Sequence, residues 1–109
     1  MRLTSAQQQL VPRLVHRHFG GSARVWVFGS RVDDRARGGD FDFLVRCDDL
    51  SAADLVRAKL HLLADMHQDR EFEDERLDVV LYSRRLDPEP RAIHREALER
   101  GLELTGERQ

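Results

Sequence analysis

A chain of 109 residues, 40% of them hydrophobic and 35% charged, is long enough for one globular domain, and residues 1–109 are predicted to form a single one. Its formal net charge of −2 argues against an extended basic surface for nucleic acid. No stretch approaches the roughly 20 apolar residues that cross a bilayer, and Cys47 is the single cysteine, so an intrachain disulfide is excluded. These properties predict a cytoplasmic protein without a membrane partner.

Hydrophobic periodicity and end signals divide the chain into alternating helices and strands. Thr4 and Gln7 make a capping-box pattern at the start of the first helix, Ser51 is the expected N-cap of the second, and Gly101 is expected to end the third. The charged run over 68–76 is expected to be a solvated connection. The predicted elements are a helix over 4–19, strands over 24–28 and 40–45, a helix over 51–67, a strand over 77–82, a helix over 90–100 and a short edge strand over 102–105. This order predicts an α/β (α+β) fold, a small sheet with helices against it.

The motif with the most chemical content is Gly29-Ser30, then residues 31–39, then Asp40-Phe41-Asp42. Because side chains alternate along a strand, Asp40 and Asp42 should share one face. Two carboxylates on one face repel each other unless a cation lies between them, and hard oxygen ligands of this kind suit Mg²⁺. The pattern therefore predicts metal binding at Asp40 and Asp42.

A third acid, Asp78, interrupts an aliphatic strand, where aspartate is unfavourable by β-propensity. If that strand lies beside the strand of Asp42, Asp78 completes a three-carboxylate cluster that can hold two divalent ions for phosphoryl transfer. Gly29 lets the backbone approach a phosphate, and Ser30 adds a hydroxyl donor beside exposed N–H groups. Asp40, Asp42 and Asp78 are thus the candidate metal ligands and catalytic acids, and Gly29 and Ser30 the candidate phosphate site.

Each part of this pattern also has an ordinary structural explanation. A Gly-Ser pair after a strand is usually a turn, an Asp-x-Asp pair is often a solvated strand edge, and Asp78 could be a buried acid paired with an arginine. Their joint occurrence, at strand ends and on two strands, favours a functional site. Trp26 and Tyr82 are expected to pack in the core or at an edge of the sheet and not to stack on a base.

Three stretches carry a resemblance to a known family: Val-Trp-Val-Phe-Gly-Ser-Arg, Gly-Gly-Asp-Phe-Asp-Phe-Leu-Val and Leu-Asp-Val-Val-Leu. They resemble the minimal nucleotidyltransferases of the DNA polymerase β superfamily. The resemblance implies the nucleotidyltransferase fold with a small mixed sheet, Mg²⁺ at Asp40 and Asp42, Asp78 as third acid, and a nucleoside triphosphate on Gly29 and Ser30. It also suggests that Arg31 steadies the triphosphate.

The first functional hypothesis is Mg²⁺-dependent transfer of a nucleoside monophosphate, with AMP from ATP favoured, to a hydroxyl of a partner protein. Small members of the family resemble antitoxins encoded beside HEPN-domain ribonuclease toxins, some of which they silence by AMPylation. A second hypothesis is a binding module that neutralises a partner without catalysis, and a third is nucleotidyl transfer to a small molecule. The sequence leaves the oligomeric state open, a homo-oligomer included.

Overall fold

The structure, a computed structural model, describes residues 3–29 and 40–106, with Asp40 described by its backbone alone. Its elements in chain order are α1 (Ser5–Phe19), β1 (Arg24–Phe28), β2 (Asp40–Arg46), α2 (Ala52–Gln68), β3 (Arg76–Tyr82), α3 (Ala92–Arg100) and β4 (Leu102–Glu103). The fold is of the α+β class, as the sequence predicts, and the element order agrees with the prediction.

The predicted helix ends are mostly confirmed because they rest on local hydrogen bonds. Thr4 Oγ1 accepts from the N–H of Gln7 at 3.0 Å, and the side chain of Gln7 accepts from the N–H of Thr4 at 2.9 Å, which completes the capping box. Ser51 caps α2 by accepting from Asp54. The third helix starts at Ala92 and not at residue 90, because the backbone of Arg91 is still extended and forms the N-cap.

The four strands of the described chain form one mixed sheet in the order β3-β2-β1-β4. β1 runs antiparallel to both β2 and β4. β2 runs parallel to β3, with Phe43 opposite Val79. The two parallel strands are joined through α2, so α2 must run in the opposite direction to both of them.

The sheet is covered on both faces. On one face α1 and α2 bury the larger core, to which the sheet contributes Val27, Phe41 and Phe43. On the other face a smaller cluster joins Ala97 of α3 to Trp26 and the side chains around it. Trp26 and Tyr82 belong to this second cluster, which confirms the expectation that they pack against the sheet. Within the described ranges, no helix is both long enough and apolar enough to cross a bilayer.

The stretch 68–76 is not the purely solvated connection that its charges indicate. Phe72 within it is fully buried. Its ring meets the rings of Phe41 and Phe43 edge-on, with centroid distances of 5.4 and 6.2 Å. One aromatic side chain therefore fixes this connection to the core, and the charges around it conceal that contact in the sequence pattern.

A hydrogen bond and a ring contact join α1 to α2 near the end of α1. His18 Nε2 lies 2.6 Å from Asp65 Oδ2, and the ring of His18 lies 5.9 Å from that of His61. The hydrogen bond with His18, followed by the charges of His18 and Arg17, holds the pKa of the Asp65 carboxyl below its usual range. The histidine spacings in the sequence do not predict this contact, because it forms between two helices.

Gly101, between α3 and β4, lies where three chain segments meet. A Cβ at this position would lie 2.4 Å from the carbonyl oxygen of Ala97, 2.8 Å from that of Val27 and 3.1 Å from Cβ of Phe28. Two of the three atoms are backbone and cannot turn away. Glycine is therefore required here because any side chain would clash. Its backbone angle does not require it, since a φ of −79° is open to any residue.

We expect Gly101→Ala to lower the free energy of unfolding by about 1–3 kcal/mol, the usual cost of overpacking. Gly21→Ala is the matched control, because a Cβ there meets nothing within 4 Å. Chemical denaturation of both variants measures the difference. Equal stabilities would show that the α3–β4 turn can open without cost.

Candidate active site

One row of residues crosses three strands at one end of the sheet. Phe28, the last residue of β1, pairs with Asp42 of β2. Asp42 pairs in turn with Asp78 of β3 in the parallel register. The condition on which the sequence joins Asp78 to the acids of β2, that its strand lies beside β2, is therefore met, while the role of Asp78 stays a prediction.

The row lies on the face of the sheet that carries α3. Phe41 and Phe43 are buried on the opposite face, in the core with α1 and α2, so the alternation of β2 turns Asp42 to the α3 side. Asp78 shares that side with Tyr82, because even-numbered residues of β3 alternate with the buried Val79. The strands thus present two carboxylates side by side on one face.

Gly29 follows β1 directly and approaches the Asp42 carboxylate. Its φ is +82°, in the left-handed region where only glycine is free of strain. A Cβ on Gly29 would lie 2.6 Å from Oδ2 of Asp42, closer than such atoms approach. The absence of a side chain therefore leaves room for the carboxylate above the end of β1.

The two described acids differ in exposure. Asp42 is half-buried beside Phe28, while Asp78 is exposed. Among the described residues, the carboxylate of Asp78 makes no hydrogen bond or ion pair, so its oxygens remain available to a ligand. Adjacent carboxylates repel each other, and a cation between them would remove that repulsion.

Asp40 is the first residue of β2, two positions before Asp42, and pairs in register with Arg76 of β3. Its side chain is not among those described, so its predicted place beside Asp42 stays a prediction. The described side chains include no group of three metal-ligating residues, and Asp40, one of the three predicted ligands, is outside that set.

Arg76 is a residue of this end of the sheet that the sequence pattern does not reveal. Its charged neighbours assign it to the solvated connection, yet it opens β3 and stands in register with Asp40. It is exposed on the side of β3 that carries Asp78. A predicted strand that began at Arg76, one residue earlier than expected, would have placed this cation beside the acids. It would then have been a candidate for binding phosphate.

The other residues of the predicted phosphate site, Ser30 and Arg31, lie outside the described residues, as do Arg35 and Arg37 of the same loop. Their roles remain predictions from the sequence. The described part of the site consists of Gly29, Asp42, Asp78 and Arg76.

A cleft of about 230 Å³ lies near the other end of the strands, where Arg46 and Asp48 line it. Its charged side chains are already matched, since Arg46 pairs with Asp48 at 3.0 Å and Arg24 with Glu103 at 2.7 Å. Burial alone would raise the pKa of Asp48, but hydrogen bonds from the Arg84 N–H and the Arg46 guanidinium outweigh it and lower the pKa. This cleft is held together by internal pairs, whereas the carboxylate of Asp78 has none among the described residues.

No protein-family model matches this sequence, and no curated protein matches it either. The functional assignment therefore depends on the residues and on their geometry.

The close approach of Gly29 to the Asp42 carboxylate can be tested by giving residue 29 a side chain. Gly29→Ala should lose stability through its left-handed φ, about 1–2 kcal/mol, and should displace the Asp42 carboxylate. The flexible carboxylate moves at little cost, so the larger effect is expected on divalent-metal binding, measured by calorimetry with Mg²⁺ or Mn²⁺.

Gly20→Ala is the control, because Gly20 has a φ of +104° but a Cβ there would meet nothing within 4 Å. It should lose similar stability and keep its metal binding. Equal metal affinities in the two variants would contradict a role for the space above Gly29.

Proposed function

We propose that this protein is a Mg²⁺-dependent nucleotidyltransferase of the polymerase β type, which transfers AMP from ATP to a hydroxyl of a partner protein. The observation that carries the proposal is the in-register pair of Asp42 and Asp78 on adjacent parallel strands, with Gly29 leaving space at the Asp42 carboxylate. The sequence resemblance to minimal nucleotidyltransferases supports the same conclusion.

The donor set fits magnesium. Asp42 and Asp78 offer hard carboxylate oxygens on one face, and Asp40 is two residues from Asp42 on the same strand. Sulfur ligands are remote, since the only cysteine, Cys47, is buried in the larger core. Bound Mg²⁺ would neutralise charge that develops on the phosphoryl oxygens during displacement.

The chain's own residues position the reactants. Gly29, with Ser30 and Arg31, is proposed to hold the triphosphate of ATP at the end of β1. Asp78 is proposed to take the proton of the acceptor hydroxyl, because its carboxylate is exposed and unpaired among the described residues. The acceptor oxygen then bonds to the α-phosphorus while the bond to the bridging oxygen breaks, and pyrophosphate leaves with that electron pair.

The openness of the site favours an acceptor that belongs to a macromolecule. Asp78 is exposed and lies on β3, one of the two edge strands of the described sheet. A small acceptor would need an enclosing pocket to fix its hydroxyl, whereas a protein brings a rigid surface of its own. We therefore propose a tyrosine, serine or threonine of a bound protein as acceptor, with a HEPN-domain ribonuclease as the partner that the resemblance suggests and the cytoplasm as compartment.

A binding module that neutralises its partner without catalysis is the alternative. A scaffold has no evident use for Asp78 beside Asp42, because adjacent like charges lower the stability of the sheet.

The acids are tested first by single replacements. Asp40→Asn, Asp42→Asn and Asp78→Asn should each abolish Mg²⁺-dependent transfer. Without metal, Asp78→Asn should unfold at the same or a slightly higher temperature, because it removes a like charge beside Asp42. Asp49→Asn is the control, since Asp49 is exposed in the cleft near the other end of the strands. A marked loss of metal-free stability in Asp78→Asn would identify a structural acid instead.

Transfer is tested by incubating the protein with ATP, Mg²⁺ and the product of the adjacent gene, followed by intact mass measurement of that product. We expect a gain of one or more adenylyl groups with the wild type and none with the three Asn variants. Complex formation without a mass change, and equal neutralisation by a triple Asn variant, would establish the binding-module alternative.

A further inference from the structure

Strand β3 is the outer strand on one side of the sheet, and its backbone offers unpaired groups. The N–H of Cys47 donates to the carbonyl of Tyr82 at 3.0 Å, so the backbone of Tyr82 faces β2. Backbone groups alternate in direction along a strand, which turns those of Leu77, Val79 and Leu81 outward. An edge of this kind is a template for another strand.

One end of this edge is partly occupied. The carbonyl of Leu81 lies 3.1 Å from Nε2 of His94, which is fully buried in α3. The outward groups of Leu77 and Val79 have no partner among the described residues. The first half of β3 and its centre are therefore open, and at the other end the Leu81 carbonyl keeps its second lone pair for a further donor.

The charges that flank β3 are self-complementary. Glu73 and Asp74, called here the acidic turn, come before the strand, and Arg84 and Arg85, the basic turn, come after it; all four are exposed. If two copies pair antiparallel about Val79, each acidic turn lies opposite the basic turn of the second copy. Opposite charges placed across strands stabilise such a pair.

The position of Asp78 selects this register. With Val79 opposite Val79 of the second copy, Asp78 faces Val80. Moving the two-fold axis by one residue, from Val79 to Asp78, would place the two Asp78 residues directly opposite each other, where like charges repel. The register centred on Val79 is also the one that aligns the charged turns.

The helix above β3 adds an apolar strip beside the edge. Val56 and Leu60 of α2 are 52% and 59% exposed, and Leu63 is half-buried. His61 and Asp65 contact His18 of α1, and at 100° per residue Val56, Leu60 and Leu63 lie on the flank away from α1. Since α1 packs on β1 and α2 on β3, this flank faces the open edge.

The two strips match in length and centre. The seven residues of β3 span roughly 23 Å, and the 17 residues of α2 span roughly 26 Å. α2 runs opposite to β3, and Leu60 is the midpoint of α2 as Val79 is the midpoint of β3. A two-fold axis at Val79 would bring Leu60 of each copy towards that of the other.

We propose that two copies of this chain associate through β3 and the outer flank of α2, which joins their four-stranded sheets into one continuous sheet. The proposal is independent of the nucleotidyltransferase assignment, because it requires neither a metal nor a nucleotide at the candidate site. The second copy approaches in the plane of the sheet, so it would not lie over the face that carries Asp42 and Asp78.

The test is a charge exchange monitored by sedimentation velocity over a range of protein concentrations. Wild type should be dimeric, and the dimer should weaken as salt increases. Two double variants are compared with it: Arg84→Glu with Arg85→Glu, and Glu73→Arg with Asp74→Arg. Each double variant alone should be monomeric at concentrations where wild type is dimeric. Mixed together, they should form a heterodimer at least about tenfold tighter than either homodimer.

Two further variants test the apolar strip. Leu60→Glu should shift wild type to monomer, while Ile93→Glu should leave the dimer intact, because Ile93 is comparably exposed at 43% but lies on α3. Circular dichroism checks that each variant is folded. Hydrogen exchange should also show the amides of Leu77 and Val79 protected in the dimer and exchanging in the Leu60→Glu monomer.

A monomeric wild type at millimolar concentration would overturn the proposal. So would a dimer that survives both the charge reversals and Leu60→Glu, since it would use another surface. Homodimers that are weakened without rescue on mixing would show that the turns do not face each other, and would also overturn it.

Discussion

The parallel pairing of β2 with β3 is the contact on which both the core and the candidate site depend. Phe43 and Val79 lie opposite each other and are buried in the same cluster under α1 and α2. A shift of one residue would turn that apolar set to the other face, so burial fixes the register strongly. The adjacency of Asp42 and Asp78 follows from the same register, because both acids occupy the neighbouring positions on the opposite face.

The core thus holds together two charges that would separate if they were free. Elsewhere on the sheet the charged side chains are matched, as Arg24 is with Glu103, whose hydrogen bond and charge raise the pKa of the guanidinium. The carboxylate of Asp78 has no such match among the described residues, and Gly29 keeps space beside Asp42 where any other residue would intrude. Like charges that packing holds side by side would be stabilised by a cation bound between them.

The sequence predicts those features that depend on neighbours along the chain. Capping at Thr4, strand alternation around Asp42 and the end of the third helix at Gly101 are local, and the structure confirms them. The position of Phe72 is not predicted, because one apolar side chain among many charges gives no periodic pattern. Arg76 is missed because it looks like one more charge of the same run. The crowding at Gly101 is missed for another reason, since Ala97, Val27 and Phe28 meet there only after α3 has packed on the sheet.

Strand β3 borders three different environments: the larger core, the face that carries α3 and the open edge of the sheet. Odd-numbered side chains such as Val79 point to the larger core, even-numbered ones such as Asp78 point to the face that carries α3, and the backbone groups point along the sheet. A strand that paired with the edge would fix the backbone of Leu77 and Val79, the two residues that flank Asp78. Association through the edge would therefore restrict the backbone of one acid of the candidate site and place Val80 of the second copy opposite Asp78. The backbone hydrogen bonds of an added strand would hold β3 in place and so oppose the displacement that repulsion between Asp42 and Asp78 favours.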